Sequence, residues 1–482
     1  MKKTLKNAGS LAMACIAFVT GAVSCGGNGN DAPENTEPAK VVSTSIAEGS
    51  TVDASVTEIS IEYSEPVVLN PSASATLNGS NVPVSLVDGK VLKATVSLSA
   101  GTSYEFQIPS RMVVTLSSKK NADAFTLKFK TQEADIPQED MSLVNANAIA
   151  QARNVYKFIA ENIGKKIISG AMANVNNNND FADWILKETG VYPALTCYDF
   201  VHLPESGQNW IDYADITPAT TQWNNNGLVA YMWHWRVPTS KEAYDNKDYN
   251  KYGFNVPGGD NDSPTEFDIR EALKEGTWQN ECILADIDKV SEYLKLLQDK
   301  GIPVIWRPLH EAAGSYVYNN PWFWWGRFGG EYTKQLWNLM YDRMVNKNGL
   351  NNLIWVWTTQ YSEGHEQQMA ADYPGNDTVD VIGVDIYASE GDDSSQLKAY
   401  EAARNLGGNK KPVSLAETGY LQNPDKCIAD KANWSWFMLW YTYDIHKNGG
   451  AQDGFGNSVQ HLKDVYTSPY VINRGDMPDL KK

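Results

Sequence analysis

Cationic residues are outnumbered in this chain. Lys plus Arg is 41 against 58 Asp plus Glu, a formal net charge of −17. Nucleic-acid binding draws its affinity from cationic surface over phosphates, so no nucleic-acid partner is expected. Cysteine is scarce too: five in 482 residues do not make a disulfide scaffold. Cys197, Cys282 and Cys427 have no metal-ligand spacing and read as small buried hydrophobes. No GxGxxG, P-loop or GxSxG occurs, which removes the usual signals for dinucleotide, nucleoside triphosphate and serine-hydrolase chemistry. His310-Glu311 and His365-Glu366 each open like HExxH, but Gly314 and Met369 stand where the second histidine belongs. Neither is a zinc helix, and no metal or organic cofactor is expected. Tryptophan is missing from the first part of the chain; all 16 lie at or after Trp184. Whatever needs these rings is in the C-terminal part.

The one long apolar run, Leu11 to Val23, is too short to span a bilayer as a mature helix. It follows a basic start at Lys2, Lys3 and Lys6 and ends in Ala22-Val23-Ser24-Cys25. Small residues before a cysteine, then Gly26-Gly27, look like a bacterial lipoprotein cleavage site. Residues 1–25 are therefore expected to be a signal peptide, with Cys25 lipidated, and 26–38 a polar linker. Across residues 39–132 the texture is strand-like. Thr57 to Tyr63 and Ala124 to Lys130 alternate, with turn signals at Asn78-Gly79 and Asp88-Gly89. That predicts a small β-sandwich. The stretch Ser60 to Val67 resembles bacterial immunoglobulin-like modules. Without a tryptophan for a sugar platform, a spacer role is expected of it.

Over residues 140–478 short apolar runs alternate with helical stretches such as Ala285–Lys300 and Glu331–Asn346. The predicted strands are Lys166–Ala173, Tyr192–Phe200, Gly227–Trp235, Ile302–Glu311, Leu353–Gln360, Val379–Ala388, Pro412–Tyr420 and Trp434–Tyr441. Eight such repeats are what a (β/α)8 barrel requires, with chemistry at the C-terminal strand ends. An open doubly wound sheet is the alternative, but the glycine-rich loop it would carry after its first strand is absent.

The fourth and seventh predicted strands each run into a carboxylate, Glu311 and Glu417. Charged groups seldom end a buried strand without a partner or a job. Two carboxyls about 5–5.5 Å apart across a barrel mouth suit a retaining glycosidase. An ion pair with Arg307 is the competing structural role. Arg307 and His310 flank Glu311; a cation would keep a nucleophilic carboxylate ionised, whereas an acid needs a raised pKa. Tyr387, at the end of the sixth strand, is placed to donate a hydrogen bond to Glu417. His234 lies in Tyr231-Met232-Trp233-His234-Trp235 at the end of the third. Trp322 and Trp440 fall at the predicted mouth, where apolar rings suit the C–H faces of sugars. A neutral polysaccharide fits both these rings and the acidic balance.

The segment Trp306-Arg307-Pro308-Leu309-His310-Glu311, followed by Trp322-Phe323-Trp324-Trp325-Gly326, resembles the acid/base segment of glycoside hydrolase family 26. Ala416-Glu417 resembles its nucleophile strand, and Trp233-His234-Trp235 and Val384-Asp385-Ile386-Tyr387 two further signatures. The resemblance implies a retaining β-mannanase acting on β-1,4-linked mannan, glucomannan or galactomannan; endo action is expected, with release of mannobiose from a chain end as the alternative. It implies Glu311 as acid/base and Glu417 as nucleophile, with His310 and Tyr387 as their hydrogen-bonding partners. His234, Trp322 and Trp440 become subsite residues, and Trp235 and Arg307 join the substrate-binding set. Family members place the platform tryptophan soon after the acid. Here Tyr316 stands there, and an insertion running to Pro321 precedes Trp322. Trp322 is aligned with the platform, and Tyr316 is the alternative. The leader and immunoglobulin-like module resemble glycan-degrading lipoproteins of Bacteroidetes. A monomer held on the outer membrane by its lipid is therefore expected. Two readings compete: the same chemistry on β-1,3-xylan or mixed-linkage β-glucan, and a surface glycan-binding protein without catalysis. Intact Glu311, Glu417, His310 and Tyr387 argue against the second. The long polar stretch Val237 to Asn280 is expected to shape the cleft.

Overall fold

A computed structural model describes residues 37–53, 56–98, 102–131, 142–174, 176–204, 211–257, 264–441 and 455–482. The signal-peptide and Cys25 expectations lie outside them. The chain divides into two compact units after Ile136.

The first unit is all-β. One sheet runs in the order Val41–Thr44, Glu58–Tyr63, Val91–Thr95, Val84–Val87, every neighbour antiparallel. A second runs Thr51–Val52, Phe125–Thr131, Ser103–Ile108, Thr76–Leu77, Ser80–Asn81, and Val67–Leu69 pairs with Val113–Thr115 in a small third sheet. The predicted alternation is realised in side-chain burial. Ile59, Ile61 and Tyr63 point inward from the first sheet and Tyr104, Phe106 and Ile108 from the second, sharing one core. The polar residues between them face outward.

The second unit is the expected barrel, a closed ring of eight parallel strands. They are β1 (Gly170–Met172), β2 (Leu195–Asp199), β3 (Leu228–Met232), β4 (Val304–Arg307), β5 (Leu353–Thr359), β6 (Val381–Ile386), β7 (Val413–Thr418) and β8 (Phe437–Leu439). Parallel strands are covered on both faces, so they read as continuous apolar runs. β5, Leu-Ile-Trp-Val-Trp-Thr-Thr, is buried at every position. The first predicted run splits in two. Ile167–Ile168 pairs with Val471–Ile472 outside the ring, and β1 starts only after Ser169. The helix expected from Ala285 begins earlier, spanning Trp278–Gln298, because the Thr277 side chain caps it by accepting from the Asn280 N–H. The segment after β3 is not bare loop. Val237–Pro238 pairs with Tyr252–Gly253, and short helices at Lys241–Asp245 and Ile269–Ala272 follow in turn.

Candidate active site

The chemistry-bearing side chains gather where the strands of the barrel end. β4 stops at Arg307, and Glu311 lies four residues beyond it, so it does not terminate the strand as the sequence suggested. The chain turns sharply instead: Leu309 and Glu311 both have φ of 52°. Left-handed backbone is uncommon for residues other than glycine and concentrates at functional sites. The turn is held from several sides. The Gly314 N–H donates to the Glu311 carbonyl at 2.9 Å, and the Trp325 indole N–H donates to the His310 carbonyl at 2.9 Å. Gly326 packs so closely that a Cβ there would sit 1.5 Å from the Ala312 carbonyl oxygen. Only glycine lets this backbone support the turn.

β7 delivers Glu417 by a different device. Its register slips against β6 between the Val384–Leu415 and Asp385–Glu417 pairs, and again against β8 between Leu415 and Thr418. The extra residue is a bulge, which re-aims the side chains beside it. Glu417 is thereby brought to Arg307, whose Nη2 donates to Oε1, and to Tyr387, whose hydroxyl donates to Oε2 at 2.7 Å. Arg307 Nη1 also donates to Asp385 Oδ2 at 3.1 Å. Carboxylate oxygens of Glu311, Asp385 and Glu417 lie within 4.8 Å of one another. Three such groups could chelate a cation, but the buried guanidinium already bonds two of them and supplies the positive charge.

The two glutamates sit in opposite environments. Glu417 has a donor on each oxygen, an arrangement that stabilises negative charge. Glu311 accepts a hydrogen bond from the Trp322 indole N–H, to Oε2 at 2.8 Å. Burial, helped by the Glu417 charge, pushes the Glu311 carboxyl up to about 7. It therefore holds a proton well above the usual carboxylate range. Burial and the Glu417 charge also push Asp385 up. Arg307 is buried, which opposes its charge, yet Glu417 and Asp385 outweigh that and raise its pKa.

A second constellation flanks the first. His234 Nδ1 meets Asp199 Oδ2 at 2.5 Å, and the His234 backbone N–H donates to Asp199 Oδ1 at 3.0 Å. Burial opposes protonation of His234, but the charge and hydrogen bond of Asp199 overcome it and raise the pKa. His310, edge-on to that ring at 4.5 Å, is driven the other way, first by burial and then by His234. Both influences disfavour its charged form. Phe323 and Trp440 complete the wall, with ring centroids 5.6 and 6.0 Å from His234.

Residues 144–476 match the family described as Glycosyl hydrolase family 26, and residues 34–131 match Bacterial Ig-like domain. The chain belongs to glycosyl hydrolase family 26. Among relatives of this family 26 chain is a mannan endo-1,4-beta-mannosidase of Thermothelomyces thermophilus. It is 36% identical over 73% of this chain and 66% of its own length. Mannan endo-1,4-beta-mannosidase B of Piromyces sp is 34% identical over 70% of this chain and 54% of its own length. The chain thus spans from about half to just under two thirds of these relatives. A similar solved structure is a beta-mannanase from a symbiotic protist of the termite Reticulitermes speratus, complexed with gluco-manno-oligosaccharide. It has a TM-score of 0.61 and 34% identity, covering 71% of this chain and 98% of that one. The family 26 domain of a Prevotella bryantii endo-beta-mannanase/endo-beta-glucanase also has a TM-score of 0.61 and 34% identity, over 70% and 99%.

The family 26 barrel brings Glu311, Glu417, Arg307, Tyr387, His234, His310, Trp322 and Trp440 around one mouth, but not all in the expected parts. The hydrogen bond to the Glu311 carboxyl comes from Trp322 rather than His310, and His310 Nδ1 has no partner among the described residues. Arg307, expected in the substrate-binding set, is buried and donates to Glu417 and Asp385. Trp235 is 0% exposed, stacked on Trp233 at 4.0 Å, and is no subsite residue. Side chains alternate along the β3 exit, which sends both tryptophans to the wall and His234 to the mouth. Tyr316, the alternative platform, turns inward and is buried, its hydroxyl 2.8 Å from Thr359 Oγ1. Asp385 and Asp199 were missed in the sequence reading. Each is a lone acid at the end of an apolar strand, the same signal that singled out the glutamates.

Proposed function

We propose that this chain is a retaining endo-β-1,4-mannanase, with Glu417 as nucleophile and Glu311 as acid/base. One observation carries the mechanism: the two carboxyls approach within 4.8 Å, with Glu417 accepting hydrogen bonds from Arg307 and Tyr387 while burial raises the pKa of Glu311. Inverting enzymes need about 6.5–9.5 Å between the pair to admit a water, whereas retaining ones use about 5–5.5 Å. Glu417 attacks the anomeric carbon, and the C–O bond to the leaving sugar breaks as Glu311 gives its proton to that oxygen. Glu311, now anionic, takes a proton from water. The hydroxide attacks the glycosyl ester and frees Glu417. Tyr387 and Arg307 hold the nucleophile in line, and the neutral His310 adds no charge beside the acid. The choice of mannan rests on the relatives, and endo action is inferred with it. Attachment to the outer membrane through Cys25 rests on the leader sequence.

The test is Glu311→Ala on an activated aryl β-mannobioside. Glycosylation of the enzyme needs no acid with such a leaving group, so the first step should survive, deglycosylation should slow, and azide should restore turnover as a β-glycosyl azide. Full activity of the variant on mannan would reject the assignment. Hydrolysis of xylan or β-glucan but not mannan by the wild type would reject the substrate alone.

A further inference from the structure

The mechanism leaves unused the short hairpin that grows out of the Glu311 turn. Ser315 and Asn320 exchange two backbone hydrogen bonds of 3.2 Å each, closing residues 315–320. The closure is tight: at Gly314, with φ of 59°, a Cβ would lie 2.1 Å from the Asn320 carbonyl oxygen. Both legs are braced. Tyr316 anchors the outgoing leg on Thr359 at the end of β5. The returning leg leads into Trp322, whose carbonyl accepts from the Val256 N–H at 2.9 Å.

What this braced hairpin presents is apolar. Tyr318 is 80% exposed and Val317 55%. Single apolar side chains on a surface are ordinary. These two are adjacent, and they sit on a tip whose base bonds Glu311 twice, through the Gly314 N–H and through the Trp322 indole. Two residues of extended chain carry a tip about 6–7 Å from its base, on the order of one sugar unit. An aromatic ring on a braced backbone gains buried area from a ligand while fixing only two side-chain torsions. Glu311 protonates the leaving oxygen, so its side of the mouth is the leaving-group side.

We propose that Tyr318, backed by Val317, forms a sugar-stacking subsite for the leaving-group part of the chain, beyond the sugar next to the scissile bond. Its ligand is the apolar face of a hexopyranose in a β-linked polymer. This rests on the assignment of Glu311 as acid and of mannan as substrate. The site would reward binding registers that place two or more sugars on the leaving side, which favours cuts inside the polymer.

The experiment compares wild type, Tyr318→Ala and Tyr318→Phe on mannopentaose in 18O-labelled water. Mass spectrometry reads which bond is cut, because only the new reducing end takes the label. Loss of one aromatic contact should shift the partition between registers by about 2- to 10-fold, toward cuts that leave a single sugar on the reducing side. Tyr318→Phe keeps the ring and should keep the wild-type pattern. Identical partition in wild type and Tyr318→Ala overturns the proposal. If the wild type cuts no manno-oligosaccharide but cleaves another β-glycan, the substrate assignment is what fails. The same partition measured on an oligomer of that glycan then decides the hairpin.

Discussion

Replacing Trp322 by Phe removes one N–H and keeps an aromatic ring at the platform position. That N–H is the donor to Glu311, 2.8 Å from Oε2. It stabilises the charged carboxylate more than the neutral acid, and so holds the Glu311 pKa below where burial and Glu417 alone would put it. The sign follows. Glu311 must be protonated to act as acid, so kcat/KM falls as pH rises through its pKa, at about 7 in the wild type. Removing the donor moves that alkaline limb upward. Hydrogen bonds to charged groups contribute roughly 1.5–3 kcal/mol, and a difference of about 1.4 kcal/mol between charged and neutral forms is about one pKa unit. The limb should therefore move from about 7 to about 8 in Trp322→Phe. The plateau value of kcat/KM falls as well, through lost sugar contact, but the position of the limb is independent of that fall. Initial rates at low substrate across pH 5–9.5 read it directly. A limb that stays in place, or moves to lower pH, would refute the electrostatic account of Glu311.

Other perturbations test the supports. Asp199→Asn should destabilise the fold more at acid than at alkaline pH. The His234 pKa is raised in the folded state, so the stabilisation by the His234–Asp199 pair is complete below the ordinary histidine value and disappears as pH rises through the folded one. Thermal midpoints at pH 5.5 and 9 check it, and an equal loss at both would contradict the charged pair. Gly326→Ala should destabilise by about 1–3 kcal/mol or more, because its methyl group cannot share space with the Ala312 carbonyl. Activity should fall further than stability explains, since the displaced backbone carries Glu311. A variant with wild-type melting and turnover would show that the close approach is not needed.

The barrel was legible because parallel strands buried on both faces read as apolar runs, each punctuated by a helical stretch. Ile302–Glu311 overran the strand by four residues because nothing in Pro308-Leu309-His310 announces the left-handed turn that actually carries Glu311. The pairing of Glu311 with Glu417 was visible as two acids on strands that face one another across a barrel. The route by which Glu417 is aimed was not, since a bulge is a mismatch of register with neighbouring strands and leaves no local mark. Trp233-His234-Trp235 could have been resolved by alternation alone. Tyr316 faced inward because its hydroxyl found Thr359, a contact between residues far apart in sequence. Asp199 and Asp385 obeyed the rule applied to the glutamates, but each lies within two residues of a more conspicuous aromatic, Tyr198 and Phe200 or Tyr387.

The division of labour between Glu311 and Glu417 is tested most directly by trapping the intermediate. A 2-deoxy-2-fluoro-β-mannosyl fluoride slows both steps, the second more, and leaves a covalent ester on the nucleophile. Peptide mass spectrometry of the inactivated enzyme should find one added sugar on the peptide that contains Glu417, and none in Glu417→Ala. A label on Glu311, or turnover that releases the α-configured sugar with no adduct at all, would contradict the account.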